Sequence, residues 1–564
     1  MVQKRIPYGI SNFRTIIEEG YVYVDKTPFI RLLEENPAPY VFFLRPRRFG
    51  KSLFVSLLEN YYDINQCDSF SSLFSGTDIG KNPTSKHNSY YILSFNFSAL
   101  TTSSEDSLFA SISARTKQSL VRFIELYHLD FIPDFSGYPA DMLADFFSRL
   151  PSEMRGRVFV LIDEYDHFAN ELLSFDLDLF QDTLSRQGFI RKWYEALKIG
   201  TQEFVGRIFA TGVSPVTLDS LTSGFNIADD LTRNPVFHEM MGFTEQEIRS
   251  LIGQILPADM YTPDLVRTLR EYYNGYLFSE DADVRLFNSD MILYYIKSYL
   301  ARHKPPEKLL DMNIASDYGK IDRLMRLKSP EQNIAVLQEI LDAGCVTARL
   351  TDQFSMERRF TPDDFKSLLF YLGFLTIRDN MPGRVSLQIP NFVIRGIYSD
   401  FFLDVISRKA EYHPDTGSVL HAIEEIAWEG RCDKLVALVE ELLHSFSNRD
   451  YIGFDEKYIK IIIFTFAQMS NLYLIKSEYE VPDGYIDIAL LAREPWNPDY
   501  NALFELKYLK MKDACEERVQ EVLNDGIMQL KKYSAPPELA GLKNLKKWVL
   551  VFTGDRCVRI HEVE

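Results

Sequence analysis

Cysteine is scarce and scattered. The five residues, Cys67, Cys345, Cys432, Cys515 and Cys557, are odd in number and form no CxxC pair. That argues against a structural zinc site or a disulfide framework and for a reducing, cytoplasmic compartment. Cys432 and Cys515 read as small buried hydrophobes, not nucleophiles. The nine histidines make no HExxH or other ligand-like cluster, and no GxSxG elbow occurs, so zinc-hydrolase and serine-hydrolase chemistry is not expected. No apolar run approaches the ~18 residues of a membrane span. The longest, Tyr458–Met469, contains Lys460. The first residues, MVQKRIPYGI, are basic but lack an apolar segment, so no secretory signal is expected. Internal repeats and long low-complexity stretches are also missing. Positive charge is in deficit: 62 Lys and Arg face 80 Asp and Glu, a net charge of −18. A protein that coats polyanions with its whole surface is disfavoured, whereas a local basic groove is not.

What remains is an ordinary globular composition, 46% hydrophobic and 25% charged over 564 residues, a length of about three to four domains. The chain is expected to be α/β. Over residues 1–245, buried-strand patterns at Tyr40–Leu44, Tyr90–Phe97, Val158–Ile162 and Arg207–Thr211 alternate with helical ones such as Leu53–Tyr62 and Asp141–Leu150. This alternation predicts a parallel sheet covered by helices. Residues 246–430 read mostly as helices. Within them a helix at Phe365–Leu372, a hairpin turning near Asn380–Gly383 and a helix after Pro390 suggest either a winged-helix-like element or a small α/β connector. Residues 431–564 return to mixed α/β, with strands near 473–479, 484–491, 501–509 and 547–553 and a helix near 516–533.

Two groups of residues carry chemistry. The first is Arg45-Pro46-Arg47-Arg48-Phe49-Gly50-Lys51-Ser52, between a strand and a helix. Backbone N–H groups at a helix start make a nest for an anion, so Arg48, Phe49, Gly50, Lys51 and Ser52 are the expected nucleotide contacts. Lys51 would reach the β- and γ-phosphates, and Ser52 would place its hydroxyl on Mg²⁺. The common pattern GxxxxGK, with Ser or Thr next, has glycine where Arg45 stands. Downstream, the apolar strand Val158–Ile162 runs into Asp163-Glu164. Asp163 would hold the metal and Glu164 would accept a proton from the attacking water. Thr211, at the end of the next strand, either senses the γ-phosphate or simply ends the strand. The Arg45, Arg47 and Arg48 cluster would touch nucleotide, in this copy or in a neighbour of a homo-oligomer; for Arg47 plain solvated loop charge is the alternative.

RPRRFGKS, with Tyr23-Val24-Asp25-Lys26-Thr27 before it and VLIDEYD and ATGVSP after it, resembles the bacterial AAA-ATPase-like proteins. Gly242-Phe243-Thr244, Asn274–Phe278 and Phe287-Asn288 also look like that family's downstream segments. The resemblance, over about residues 5–300, implies ATP binding by a P-loop domain, with Arg45 belonging to the family's loop variant. Asp25-Lys26-Thr27 lies either near the nucleotide or on an N-terminal strand docking on the sheet.

The second group lies near the C-terminus. Asp483-Gly484-Tyr485-Ile486-Asp487 enters one strand pattern, and Phe504-Glu505-Leu506-Lys507 sits in the next. Residues two apart in a strand share a face, so Glu505 and Lys507 point together, and a hairpin would bring Asp487 beside them. Asp487 and Glu505 could hold a divalent cation, and Lys507 could offset charge on a phosphate. This pattern resembles the PD-(D/E)xK nuclease superfamily over about residues 435–555, which implies a restriction-endonuclease-like domain. The helix ending Gln529-Leu530-Lys531-Lys532-Tyr533 looks like its QxxxY tail, making Gln529 and Tyr533 accessory groups. Glu456, or else Glu478, would complete the site. Tyr485 stands where the family commonly has arginine. The two resemblances together imply an ATPase fused to a Mg²⁺-dependent nuclease acting on nucleic acid, with DNA the expected substrate ahead of RNA. The alternative is an ATP-dependent switch whose nuclease-like domain only binds nucleic acid or a partner.

Overall fold

A computed structural model describes residues 4–169, 172, 188–215, 227–258, 260–311, 324, 330–352, 354, 360–410, 413–445, 456–482 and 484–564. Asp483 lies outside the described residues. The chain forms two compact units: residues 1–297, 310–340 and 344–392 in one, and 298–309, 341–343 and 393–564 in the other. Among the described residues, no helix is long and apolar enough to cross a membrane.

Strands covered on both faces must be apolar throughout, because neither side meets water. The first unit is built on a five-stranded sheet whose central strands, β1 (Tyr40–Leu44), β3 (Val158–Asp163) and β4 (Val205–Gly212), are of this kind, with β2 (Tyr91–Asn96) and the two-residue, exposed β5 (Asp229–Asp230) at its edges. All pairings are parallel, in the order β2-β3-β4-β1-β5. Every residue of β3 is buried. The sequence expectation of a parallel sheet is met, and β4 lies between β1 and β3. Register aligns Leu44 with Gly212 and Ile162 with Ala210, so the loops leaving β1, β3 and β4 emerge at one edge. Helix α1 (Lys51–Tyr62) follows β1 and buries Phe54, Leu57, Leu58 and Tyr61.

The same unit contains α2 (Glu245–Ile255), started by a capping box between Thr244 and Glu247. It also contains the beginning of α3 (Ser289–Arg302). Helix Pro362–Tyr371 precedes the antiparallel hairpin of β7 (Thr376–Met381) and β8 (Arg384–Gln388). The turn falls on Pro382-Gly383, where Gly383 has φ +73°. Helix and hairpin match the sequence reading. A further strand, β6 (Cys345–Ala348), pairs with β8 and makes a three-stranded sheet.

The second unit holds a mixed sheet of β9 (Tyr473–Val481), β10 (Gly484–Ala492), β11 (Asn501–Leu509), β12 (Leu545–Thr553) and β13 (Arg556–Glu562), in the order β13-β12-β11-β10-β9. Only β11 and β12 pair in parallel, and they are joined through α5, below. Helix α4 (Glu456–Met469) packs across β9, β10 and β11, and α5 (Glu516–Tyr533) across β10, β11 and β12. Cys432 is buried as expected. Cys515 is exposed, contrary to expectation, because it caps the start of α5.

Candidate functional site

The loop between β1 and α1 is a cradle. Gly50, with φ +93°, caps α1 in a left-handed conformation that only glycine adopts without strain. The Lys51 ammonium is buried and donates to the carbonyls of Arg45 and Pro46, 3.0 Å each. Burial pushes its pKa down, against the upward pull of Glu164, Asp163 and Asp166. Such an ammonium, held over the loop by two neutral carbonyls, is ready to exchange them for phosphate oxygens.

Arg45 is not a nucleotide contact, which corrects one reading of the arginine cluster. Its guanidinium is 1% exposed and donates to the carbonyls of Leu44, Thr232 and His238. It lies between the rings of Phe43 and Phe278, 4.2 and 4.4 Å from their centroids. The arginine that replaces the usual glycine is thus a buried strut beneath the loop. The Phe49 ring is also committed, edge-on to Tyr276 and Phe278, which leaves its backbone for a ligand. Arg48 pairs with Asp290 at 3.1 Å.

At the end of β3 the Asp163 carboxylate hydrogen-bonds Ser52. Its Oδ1 is buried with no hydrogen-bond partner among the described residues. Burial raises its pKa, opposed by Ser52 and Lys51. A buried, orphaned carboxylate oxygen beside a serine hydroxyl suits a hard cation. Glu164 has φ +54° and places Oε2 3.4 Å from His167 Nδ1. Both residues line a cavity of about 470 Å³ with Gly50, Lys51, Ser52 and Arg47. Its opposite wall includes Val24, Met241 and Phe243. His167 was not identified from sequence, since a lone histidine beside an acidic pair has no spacing signature.

Two expected contacts serve the framework. The Thr211 hydroxyl is buried and donates to Phe43 O at 2.8 Å, across the β1–β4 pair. Asp166 accepts from the amides of Val213 and Ser214, which ties VLIDEYD to ATGVSP. A Cβ on Gly212 would come within 2.2 Å of Asp166 Oδ1, hence glycine there. In Asp25-Lys26-Thr27, Asp25 caps Asp78 N at 2.7 Å and Lys26 pairs with Glu247 at 2.6 Å. The segment clamps the N-terminal region onto α2, and Lys26 also lines the cavity.

In the second unit, register sets Asp487 opposite Glu505, one step beyond the Ile488–Phe504 pair. Its Oδ2 accepts the Leu506 amide at 2.8 Å. Glu505 is 4% exposed; Oε1 accepts from Lys507 Nζ at 2.7 Å, and Oε2 is buried without a partner among the described residues. Burial, then the Asp487 charge, pushes the Glu505 carboxyl up to about 7. Burial likewise raises Asp487. Burial lowers the Lys507 pKa, but Glu505, Glu456 and Asp487 outweigh it and the net shift is upward. The three predicted residues therefore converge, and an orphaned anionic oxygen at their centre fits a divalent cation. Among the described residues no third His, Cys, Asp or Glu is close enough to make a three-ligand set.

Gln529 and Tyr533 share a face of α5. Gln529 Oε1 is buried and unpartnered among the described residues. Tyr533 packs on Gly484, where a Cβ would lie 2.6 Å from its hydroxyl. The Glu456 charge reaches Glu505 and Lys507 from the first turn of α4. Glu478 lies on β9 and is engaged by Lys460 at 2.7 Å.

Residues 7–222 match the family described as "Predicted AAA-ATPase". Residues 454–562 match the PD-(D/E)XK nuclease superfamily. A curated relative, "Uncharacterized protein in vnfD 5'region" of Azotobacter chroococcum mcd 1, is 24% identical over 565 residues and spans 95% of each chain. The chain thus carries an AAA-ATPase-like domain followed by a PD-(D/E)XK nuclease superfamily domain.

Proposed function

We propose that this protein binds and hydrolyses ATP and uses it to control a Mg²⁺-dependent nuclease whose nucleic-acid substrate is DNA. One observation carries the nuclease half: Glu505 Oε2, buried and unpartnered among the described residues, opposite Asp487 and beside Lys507. A buried carboxylate oxygen is seldom left without a donor or cation of its own unless a ligand completes it.

At the ATP site, amides of Arg48 to Ser52 receive the phosphates, Lys51 turns from its two carbonyls to the β- and γ-phosphates, and Ser52 with Asp163 holds Mg²⁺. Glu164 orients the attacking water and accepts its proton, with His167 fixing the carboxylate. At the nuclease centre, Asp487 and Glu505 hold the second Mg²⁺, Lys507 faces the scissile phosphate and Gln529 orients the substrate backbone. Bound Mg²⁺ supplies neutralisation of phosphate charge and a more acidic water. We place residues 246–430 as the connector through which the nucleotide state is transmitted, and the protein in the cytoplasm, with a homo-oligomer as its assembled form.

The test is cleavage of plasmid, linear and single-stranded DNA and of RNA, with and without ATP and Mg²⁺, in wild type and Glu505→Gln. Cleavage lost in the variant supports the reading. No cleavage of any substrate by metal-loaded wild type leaves a binding module controlled by ATP.

A further inference from the structure

The carboxylate row is wider than the two residues opposite each other on β10 and β11. Register between β9 and β10 pairs Ile486 with Tyr479 and Ile488 with Ser477. Asp487 and Glu478 fall between those two pairs, and the Glu478 charge acts on the Asp487 carboxylate. The carboxyl groups of Glu478, Asp487 and Glu505 thus come from three neighbouring strands. Like charges placed so closely repel unless cations intervene.

The two flanks are treated differently. On the β11 flank, Glu505 keeps a buried oxygen without a partner among the described residues. On the β9 flank, Lys460 reaches in from α4, and its ammonium donates to Glu478 Oε1 at 2.7 Å. Lys460 is 5% exposed, unusual for a lysine, whose head normally reaches water. Its charge acts on the Asp487 carboxylate as well as on Glu478. Arg395 adds a second positive charge near Glu478. Glu478 itself has φ +51°, a left-handed conformation in mid-strand, which a non-glycine residue adopts only at a cost in backbone strain. The chain keeps that strain where it places this carboxylate under the lysine.

We propose that Lys460, clamped by Glu478, is a positioning residue that occupies the place of a second divalent cation beside Asp487, so that this centre takes one metal ion, between Asp487 and Glu505. The inference rests on the reading of the C-terminal centre as metal-dependent. A fixed ammonium supplies one positive charge without needing to be bound from solution. Its charge keeps further cations out by repulsion.

The experiment counts Mn²⁺ bound to the full-length, nucleotide-free protein by electron paramagnetic resonance. Equivalents are assigned to this centre when Asp487→Asn abolishes them. Wild type binds one. Lys460→Met, which keeps the length of the stem but not the charge, gains a second equivalent, and Lys460→Arg stays at one. Glu478→Gln keeps one equivalent, because Glu478 is not a metal ligand. A purely structural lysine would leave the count at one in Lys460→Met, which overturns the proposal. Two equivalents in wild type overturn it as well, whether or not the Lys460 variants fold. So does loss of the one equivalent in Glu478→Gln. If wild type binds no Mn²⁺ that Asp487→Asn removes, the metal-dependent reading itself fails and the inference falls with it.

Discussion

The Asp487 carboxylate accepts the Leu506 amide at 2.8 Å, where the recorded pairing of β10 with β11 has ended at Ile488–Phe504. One oxygen thus completes the sheet's hydrogen bonding, which leaves the other for the centre. Asp487→Asn retains an acceptor for Leu506, so it folds and loses metal-dependent cleavage by about 10²-fold or more. Asp487→Ala orphans the amide and also loses about 1–3 kcal/mol of stability. Urea denaturation beside a cleavage assay separates the two effects. Equal stability of both variants would mean that the hydrogen bond does not matter to the fold.

The Glu505 carboxyl is raised from 4.5 to about 7, by burial first and the Asp487 charge second. An acid with a higher pKa folded than unfolded binds its proton more tightly in the native state. Its stabilising contribution is complete below about pH 4.5 and is lost as pH rises through about 7. Metal competes with that proton. Mn²⁺ affinity is therefore expected to climb with pH up to about 7 and then level off. Chelated protein should lose thermal stability over the same window, and Mn²⁺ should restore it. An affinity independent of pH across this range would show that Glu505 is not a ligand.

Arg45→Gly restores the common GxxxxGKS pattern, yet it should harm the protein. It removes donors from the Leu44, Thr232 and His238 carbonyls and empties the space between Phe43 and Phe278. A loss of about 3 kcal/mol or more is expected, with weaker nucleotide binding. A variant as stable as wild type, with equal ATP affinity, would refute the role of Arg45 as a strut.

Lys51→Ala should fold and lose most of its ATP affinity, measured by calorimetry. Glu164→Gln should bind ATP while hydrolysing it about 10²–10⁴-fold more slowly. Undiminished turnover in Glu164→Gln would move the general base elsewhere, with His167 the neighbouring group to examine.

Much of this was legible in the residues, because apolar strands and capped helices are local signals. Tyr40–Leu44 and Asn501–Leu509 form strands, and Glu516–Tyr533 a helix, at the residues read from the pattern. Asp487, Glu505 and Lys507 were found by period-two alternation and a hairpin argument. What escaped notice depends on distant partners. Arg45 reads as part of a nucleotide-touching cluster until the carbonyls of Thr232 and His238 engage its guanidinium. Lys460 reads as an interruption of an apolar helix until Glu478 meets it across the sheet. β13, Arg556–Glu562, is half polar and lacks a clean alternation because it is an outer strand of its sheet.

The central claim is a metal-dependent nuclease under the control of an ATP site. It is tested most directly by following cleavage of linear DNA by purified protein with Mg²⁺, with and without ATP, in wild type and in Glu505→Gln. The account predicts cleavage by wild type at a rate that changes with ATP, and no cleavage by Glu505→Gln even though its ATP hydrolysis is intact. Equal cleavage by wild type and Glu505→Gln would contradict it.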